Sequence, residues 1–561
     1  MAKTDSPSHT TTTRREALLL AATAGLGAAL ASPSTSLANT GTTRQQQPGR
    51  CSTPRSAVAQ TQYGKVRGYE DGGVLTFKGV PYGQDTGGEN RWLPCKAPTP
   101  WDGERPTLVY GANCPQTLHD FTAVEQSFLQ QWVDGPLSED MLKLNIWTPS
   151  LSGKRAVMFY IHGGGYSFGS SYELASHHGA QMARHHDVVQ VSVNHRLNAL
   201  GFLDVSEVGG DTYAESGNLG MSDLVAALRW VRDNIAHFGG DPDKVMIYGQ
   251  SGGGSKVTTL MGMPSAAGLF HGASVQSGGG GNPPASEQAR TLTRQIMIEL
   301  GLQPNDIEGL KKTDWAALNK AGNVAIGKLN PPQQSFGLGA PPSPTPRVGW
   351  GPILDGRVVT VRSFYEEAPA LSKNIPMLIG SVSEEGNRMS SRPTEEQWLG
   401  TLSHSLGADK ARALIAAMKK AHPEKSIRTL SYGVGGIGQR NNVQRMSRMK
   451  FEQHGAPVYQ YYFTWQSPML EDAGAWHTAE LAFCFDNTER CKQGTGNTPE
   501  AQALAQKMAT AWANFARTGN PGQPGLAWTP ADSTRYQTMV FDNHCRMVDD
   551  PEGEIRKILL A

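Results

Sequence analysis

Six short apolar runs, which alternate with segments of helical periodicity, constrain the fold of this chain more than any other feature of its sequence. Each run is short and mostly apolar, which is typical of a strand buried in a sheet. The runs are 156–163, 187–194, 244–249, 273–278, 376–381 and 457–465. Amphipathic segments such as 222–238 and 500–518 alternate with them. This pattern predicts an α/β fold, in which helices cover both faces of a mostly parallel central sheet.

Two longer segments depart from this alternation. Residues 282–350 begin with a helical pattern and continue into a loop rich in Pro, Gly and Ser, whereas residues 388–450 have a helical pattern. We interpret the first as an insertion over one end of the sheet and the second as a helical insertion. No repeat period is visible, so one domain with insertions accounts for most of the 561 residues.

The N-terminal sequence has the features of an export signal. Arg14 and Arg15 precede an apolar stretch, and residues 36–38 offer a small-residue cleavage site. The paired arginines favour the twin-arginine route and therefore a periplasmic or secreted location. The stretch is short and rich in Ala and Gly, so we expect no stable membrane anchor. The expected boundaries are 1–38 for the signal peptide, 39–56 for a flexible lead-in and 57–561 for the folded domain.

The charge balance argues against one class of partner. The chain has 51 Lys and Arg against 50 Asp and Glu, which gives a formal net charge of +1, and it contains no basic run. A protein that binds nucleic acid needs a basic patch to meet the phosphates. We therefore expect no nucleic-acid partner.

Six cysteines accompany the export signal, and an even number in an exported protein permits disulfides. Spacing alone leaves the connectivity open, and the simplest choice joins neighbours in sequence and then the two ends. The expected pairs are Cys95–Cys114, Cys484–Cys491 and Cys51–Cys545. No Cys-x2-Cys motif or Cys/His cluster is present, so we expect no metal site. We expect no organic cofactor either.

The stretch YGQSGGGSK (248–256) surrounds one serine, Ser251, with glycines. It contains the pattern G-x-S-x-G after a strand-like run and before a segment that can be helical. In that context the pattern is typical of a nucleophile held on a sharp turn between a strand and a helix. Small neighbours allow the bend and leave the hydroxyl accessible. By itself the pattern also occurs by chance in a glycine-rich chain.

A second glycine-rich segment follows an earlier strand. In YIHGGGYSFGS (160–170) a glycine triplet can bring backbone N–H groups close to a substrate. Acyl transfer needs such donors to stabilise the oxyanion of the tetrahedral intermediate. The N–H of Gly252, directly after the serine, is the expected third donor. A simple glycine turn is the alternative for this segment alone.

A serine nucleophile needs a histidine base and an acid that orients it, in the chain order Ser, acid, His. His477 and His544 both follow strand-like runs, and position favours His477 because more chain remains after it for a covering helix. Glu384 and Glu385 follow the strand-like run at 376–381 and are candidates for the acid. Asp355 is an alternative, although its sequence context is typical of a turn residue. Position alone leaves these choices open.

Together these segments resemble the type-B carboxylesterase family, which includes bacterial p-nitrobenzyl esterases and animal cholinesterases. The resemblance extends from about residue 57 to the C-terminus. The segments that carry it are FKGVPYG (77–83), SEDMLKLNIWTP (138–149), HGGGYSFGS (162–170), VNHRLNALGFL (193–203), GNLGMSDLVAALRWVRDNIAHFGGDPDKVMIYGQSGGG (217–254), LFHGASVQSG (269–278), EEGN (384–387) and AWHTAELAFCF (475–485). Several motifs in one order are more specific than any one of them.

The resemblance implies an α/β-hydrolase fold for residues 57–561 and a role for particular residues. It implies Ser251 as nucleophile, Glu385 as the acid of the triad and His477 as base. The implied oxyanion hole consists of Gly164, Gly165 and Gly252. Ser277 matches a serine that hydrogen-bonds the triad acid.

The chain departs from the family pattern at several positions. The family usually has Glu and Ala on either side of the serine, where this chain has Gln250 and Gly252. Gln250 removes a charge that attracts cations in cholinesterase-like members, so a choline ester is disfavoured. Gly252 keeps the N–H and is expected to loosen the turn. Met141 replaces a cysteine whose usual partner matches Cys114, which leaves Cys95 as the nearest alternative.

These observations predict a serine esterase that hydrolyses a small-molecule ester without a cofactor. A non-catalytic binding protein on the same fold and an amidase with the same triad are the alternatives, since fold alone does not determine function. Tyr166, Phe168 and Trp350 are candidates to line the substrate gorge, although each can equally be packed in the core. The sequence does not identify the ester or the oligomeric state.

Overall fold

The computed structural model describes residues 57–119, 124–330, 346–386 and 392–560. Packing divides the chain at residue 48, and everything described below belongs to the unit formed by residues 49–561. The expected signal peptide and lead-in lie outside the described residues. No helix in the described ranges is long and apolar enough to cross a membrane.

Strands occur along the whole described chain and form a small and a large sheet. They are β1 (Val58–Thr61), β2 (Gly64–Arg67), β3 (Tyr69–Asp71), β4 (Val74–Pro81), β5 (Glu104–Pro106), β6 (Lys143–Thr148), β7 (Arg155–Ile161), β8 (Val189–Val193), β9 (Gly240–Gln250), β10 (Gly272–Gln276), β11 (Met377–Val382), β12 (Val458–Phe463), β13 (Gln537–Phe541) and β14 (Arg546–Asp549). Every apolar run identified in the sequence is one of the strands of the large sheet.

The large sheet has eleven strands in the order β14-β13-β12-β11-β10-β9-β7-β8-β6-β4-β3. Its centre, from β8 to β13, is parallel, whereas the pairs at both ends are antiparallel. A separate three-stranded sheet contains β1, β2 and β5. The predicted mostly parallel central sheet is therefore confirmed.

Helices follow most of the parallel strands. They are α1 (Val124–Gln130), α2 (Ala180–His186), α3 (Asn198–Phe202), α4 (Ser206–Gly209), α5 (Leu219–Asn234), α6 (Gly252–Met261), α7 (Ser286–Glu299), α8 (Ile307–Lys312), α9 (Trp315–Leu329), α10 (Glu395–Leu406), α11 (Ala408–Ala421), α12 (Ile427–Glu452), α13 (Leu481–Cys484), α14 (Lys492–Thr495), α15 (Pro499–Thr518) and α16 (Gly553–Leu560). Helices α7–α9 and α10–α12 occupy the two segments interpreted as insertions.

The two faces of the central sheet have separate cores. Val157, Phe159 and Ile161 of β7 are buried with apolar residues of α5 and α6, whereas Met158 and Tyr160 are buried with apolar residues of α15. Successive side chains of a strand point to opposite faces, so one strand contributes to both cores. Helices therefore cover both faces, and the expected C-terminal covering helix is α15.

Two of the predicted disulfides, Cys95–Cys114 and Cys484–Cys491, are not formed, and the third, Cys51–Cys545, involves a residue outside the described chain. Cys95, Cys114, Cys484, Cys491 and Cys545 are all free thiols, and Cys51 lies outside the described residues. Two of the buried thiols have other partners. The Sγ of Cys114 accepts a hydrogen bond from the Leu197 N–H at 3.3 Å, and that of Cys484 accepts one from Gln276 at 3.5 Å. For Cys95–Cys114 and Cys484–Cys491 the spacing argument was wrong, because it used sequence distance and not the position of each side chain in the fold.

Candidate active site

Ser251 lies on a sharp turn between β9 and α6. Its backbone has φ 57° and ψ −122°, a strained conformation for a residue with a side chain. The N–H of Ser251 donates a hydrogen bond to the carbonyl of Gln276 at the end of β10, with a length of 2.7 Å. The turn is therefore fixed to the neighbouring strand, as expected for a strand-turn-helix nucleophile motif.

The glycine-rich loop after β7 needs glycine at its centre. Gly164 has φ 74°, and a Cβ there would lie 2.2 Å from the carbonyl oxygen of Phe168. The far end of the loop is held by Gln116, whose amide accepts a hydrogen bond from the Gly169 N–H at 2.6 Å and donates one to the Gly169 carbonyl at 3.0 Å. The loop thus has one conformation that a larger residue would disturb.

Gly252 packs directly against this loop. A Cβ on Gly252 would lie 2.5 Å from the N atom of Gly165 and 2.3 Å from its carbonyl oxygen. Contacts this short do not occur with a real Cβ, so alanine at this position would displace backbone. The sequence predicted that glycine would loosen the turn; in the structure it allows a close approach of Gly165.

His477 and Glu385 are joined by a hydrogen bond between Nδ1 of the imidazole and Oε2 of the carboxylate. Oε1 of Glu385 accepts a hydrogen bond from the N–H of Val382 at 3.3 Å. Burial lowers the pKa of His477, but the charge of Glu385 and its hydrogen bond outweigh this, so the net pKa is raised. The imidazole therefore has its proton on Nδ1 and presents Nε2 as an acceptor.

The adjacent Glu384 has a different environment. It is buried, its Oε2 accepts a hydrogen bond from the N–H of Ala475 at 2.7 Å, and its Oε1 pairs with Nζ of Lys425 at 2.8 Å. Glu384 therefore connects the segment after β11 to the segment that precedes His477. The two neighbouring glutamates have separate partners, as their opposite directions along the chain require.

The rival residues lie elsewhere. His544 is exposed in the turn between β13 and β14, where its N–H donates to Asp542. Asp355 accepts hydrogen bonds from the N–H groups of residues 357–359 and from the side chain of Asn218. Asp355 is thus a turn residue.

A cavity of about 520 Å³ brings the candidate residues together. Ser251, His477, Gly164 and Gly165 all line it. In the described chain no hydrogen bond joins Ser251 to His477; instead Nε2 of Gln250 lies 3.1 Å from Nε2 of His477. Hydrogen bonds between catalytic groups are often loose before substrate binds.

Ser277 does not make the predicted hydrogen bond. Its hydroxyl is buried and has no hydrogen-bond partner among the described residues. The backbone of Ser277 has φ 50°, and its N–H donates to the carbonyl of Gly380 at 2.8 Å. The backbone of Ser277 is thus fixed to the neighbouring strand β11.

Three buried charged residues near the site were not singled out from the sequence. Glu480 is fully buried, and neither carboxylate oxygen has a hydrogen-bond partner in the described ranges; burial and the charge of Glu385 raise its pKa to about 8. Glu173 lines the cavity, and burial raises its pKa to about 8. Lys256 lies on α6, and burial lowers its pKa to about 7. The sequence contains one signal for such residues, which is a charged side chain among apolar residues that recur at helical spacing.

The aromatic candidates divide between two cavities. Phe168 lines the cavity that contains Ser251 and is 41% exposed. Tyr166 and Trp350 line a second cavity of about 520 Å³, which has residues of the first insertion in its wall. Ser167 lines both cavities, so both adjoin the glycine-rich loop.

The sheet order, the strained serine turn and the glycine loop define an α/β-hydrolase. The chain matches the Carboxylesterase family over residues 55–555, and it belongs to that family. It is therefore a carboxylic ester hydrolase.

Curated relatives and solved structures agree with this assignment. The para-nitrobenzyl esterase of Bacillus subtilis is 30% identical over 506 residues, which cover 90% of this chain and 98% of that protein. The human cocaine esterase is 31% identical over 533 residues, which cover 85% of this chain and 86% of that protein. An esterase from Clostridium hathewayi that can hydrolyse aliphatic aromatic polyesters has a TM-score of 0.76 at 32% identity, with 91% of this chain and 99% of that chain covered.

Substitution of Gly252 tests the close contact with the glycine loop. Gly252→Ala should lower kcat by at least about tenfold, because the new Cβ displaces Gly165 and loss of one oxyanion donor typically costs 10²–10³-fold. The measurement is steady-state hydrolysis of a p-nitrophenyl ester. Gly400→Ala on α10 is the control, since nothing lies within 4 Å of a Cβ at that position. Wild-type kcat in Gly252→Ala would show that the glycine-rich loop moves to accommodate the new Cβ without loss of activity, which would contradict the prediction.

Proposed function

We propose that this carboxylesterase acts through an acyl-enzyme on Ser251, with His477 as base and Glu385 as the acid of the triad. Ser251 Oγ attacks the ester carbonyl carbon, and its proton passes to Nε2 of His477. Glu385 keeps the proton of the imidazole on Nδ1 and stabilises the imidazolium that forms. His477 then gives its new proton to the departing alkoxide, which leaves as the alcohol.

The second half of the reaction uses the same groups. Water enters the position of the alcohol, loses a proton to His477 and attacks the acyl carbon. The tetrahedral intermediate collapses, Ser251 regains its proton, and the acid is released. In both halves the N–H groups of Gly164, Gly165 and Gly252 stabilise the negative oxygen.

One observation carries the proposal. His477, which is hydrogen-bonded to Glu385, borders the same cavity as Ser251 and the glycine loop. The amide nitrogen of Gln250 lies 3.1 Å from Nε2 and 3.4 Å from Nδ1 of the imidazole, so it packs against the ring, and the hydroxyl of Ser251 has to reach Nε2 during turnover.

The cavity favours an uncharged ester. Gln250 is neutral, and the raised pKa of Glu173 keeps that carboxyl largely protonated at neutral pH. A volume of about 520 Å³ lies within the range of pockets for small organic ligands. The names of the relatives point the same way, since para-nitrobenzyl and aliphatic aromatic esters are uncharged around the reacting bond.

Removal of the nucleophile tests the mechanism. Ser251→Ala should lower kcat by at least about 10³-fold, because no acyl-enzyme can form. A fluorophosphonate should add to the wild-type peptide that contains Ser251, and mass spectrometry would locate the adduct. Ser255→Ala, one turn further along α6, should keep wild-type activity and labelling. Near wild-type turnover in Ser251→Ala would contradict the mechanism.

The pH profile tests the pairing of Glu385 with His477. His477 acts as base only when neutral, so kcat/KM rises with pH through its pKa. Glu385→Gln removes the charge that raises this pKa, so the rising limb should move to lower pH. The plateau should fall by about 10²–10⁴-fold, because the imidazole loses its orientation.

The control for the pH profile is the neighbouring glutamate. Glu384→Gln should reduce thermal stability, since it weakens the contacts with Lys425 and Ala475. It should leave the midpoint of the rising limb unchanged. A shift in Glu384→Gln and none in Glu385→Gln would reverse the assignment of the acid.

We also propose that the protein is exported to the periplasm or beyond through the twin-arginine route. The support is the Arg14-Arg15 pair and the apolar stretch that follows. The double variant Arg14→Lys, Arg15→Lys should remain in the cytoplasm of a host with this transporter, as measured by immunoblot of cell fractions. Arg44→Lys with Arg50→Lys, in the lead-in, should be exported normally. Export of the first variant would contradict this route.

A further inference from the structure

Lys256 is a fully buried lysine next to the glycine loop. It lies on α6, five positions after Ser251, and its Nζ is 3.1 Å from the carbonyl oxygen of His162 and 3.4 Å from that of Gly163. Within the described residues no carboxylate lies within ion-pair distance of it. A buried amine without a carboxylate partner is costly, so its contacts with these two carbonyls require an explanation.

The contact of Lys256 with the Gly163 carbonyl bears on the direction of one peptide unit. The Gly163 carbonyl and the Gly164 N–H belong to the same trans peptide, in which the two groups point in opposite directions. Lys256 holds the carbonyl on the side of α6, so the N–H of Gly164 points to the other side. Gly164 lines the cavity that contains Ser251.

A second donor reinforces this arrangement. Nδ1 of His162 lies 3.1 Å from the same Gly163 carbonyl. Donors on a carbonyl polarise the peptide and strengthen the hydrogen bond that its N–H makes. Burial lowers the pKa of Lys256 to about 7, against the opposing charge of Glu173, and both protonation states of the amine carry N–H donors.

We propose that Lys256 is a positioning residue of the oxyanion hole, which holds the Gly163–Gly164 peptide so that the Gly164 N–H faces the reacting carbonyl. This inference rests on the proposed function of the Gly164 N–H as an oxyanion donor. Lys256 touches neither the substrate nor the serine. It acts through the backbone of the glycine loop.

The chain contains a matched control for a buried lysine. Lys450 on α12 is also fully buried, and its Nζ donates to the carbonyls of Ser372 at 2.7 Å and Lys373 at 2.8 Å. Burial lowers its pKa to about 8. Lys450 is not among the residues that line the cavity of Ser251. Its removal reproduces the structural cost of losing a buried amine without affecting the glycine loop.

The test compares Lys256→Met, Lys256→Gln and Lys450→Met by kcat and KM for a p-nitrophenyl ester and by inhibition with a trifluoromethyl ketone. Ser251 Oγ adds to the ketone carbon, its proton goes to His477, and the ketone oxygen becomes an oxyanion. The matched methyl ketone reports binding without a stable oxyanion. Active enzyme is counted by fluorophosphonate titration, so that unfolded protein does not enter kcat.

Lys256→Met should lower kcat by about 10–100-fold and change KM by less than about threefold. The expected fall in kcat is smaller than the fall caused by removing a whole oxyanion donor, because the Gly164 N–H is still present. It should weaken trifluoromethyl ketone binding by the same factor and leave methyl ketone binding unchanged. Lys256→Gln keeps a donor for the carbonyls and should lose less. Lys450→Met should lose thermal stability but keep kcat.

Wild-type kcat in Lys256→Met, or reduced kcat with unchanged trifluoromethyl ketone binding, would overturn the inference. If Lys256→Met does not fold, Lys256→Gln is the variant that tests the inference. A kcat and a trifluoromethyl ketone affinity equal to those of the wild type in Lys256→Gln would overturn the inference. Ser251→Ala is measured in parallel. Activity in Ser251→Ala would reject the proposed mechanism itself, whereas loss there combined with unaffected Lys256 variants would reject only the role of Lys256.

Discussion

The site depends on one constraint, which is that parallel strands end at the same edge of a sheet. The glycine loop follows β7, Ser251 follows β9, Glu385 follows β11 and His477 follows β12. These strands lie side by side or one strand apart in the parallel centre of the sheet. Four segments that are far apart in sequence therefore meet at one edge, and a ligand site at that edge is the general expectation for such sheets.

Environment gives the carboxylates around this edge different properties. Glu385 has a partially exposed imidazole as its partner, whereas Glu384 is buried with a lysine and a backbone N–H. Glu480 is three residues after His477, buried and without a hydrogen-bond partner in the described ranges. Burial disfavours its charged form, so Glu480 contributes little negative charge at neutral pH. Glu385 is therefore the main source of negative charge for the imidazole.

Much of the fold could be predicted because hydrophobic periodicity reports it directly. The runs at 156–163 and 457–465 are β7 and β12, and the amphipathic segment 500–518 is α15. Sequence spacing wrongly predicted disulfides between Cys95 and Cys114 and between Cys484 and Cys491, because pairing depends on three-dimensional proximity that spacing does not contain. The contact between Gln250 and His477 also joins residues far apart in the chain. The lysine in GQSGGGSK was visible, but only the helix geometry shows that it faces the loop.

The glycine loop has no stiffness of its own, since glycine has the greatest conformational freedom of all residues. Oxyanion stabilisation nevertheless requires donors that are fixed before the reaction. In the structure, contacts from residues outside the triplet hold the glycine loop in place. Gln116 holds Gly169 at one end, Gly252 packs against Gly165 in the middle, and Lys256 holds the carbonyl of Gly163 at the start. Two of these contacts come from α6, the helix that begins directly after Ser251. Ser251 and the N–H groups proposed as oxyanion donors are therefore positioned by the same helix, and a shift of that helix moves both together and preserves their relative geometry.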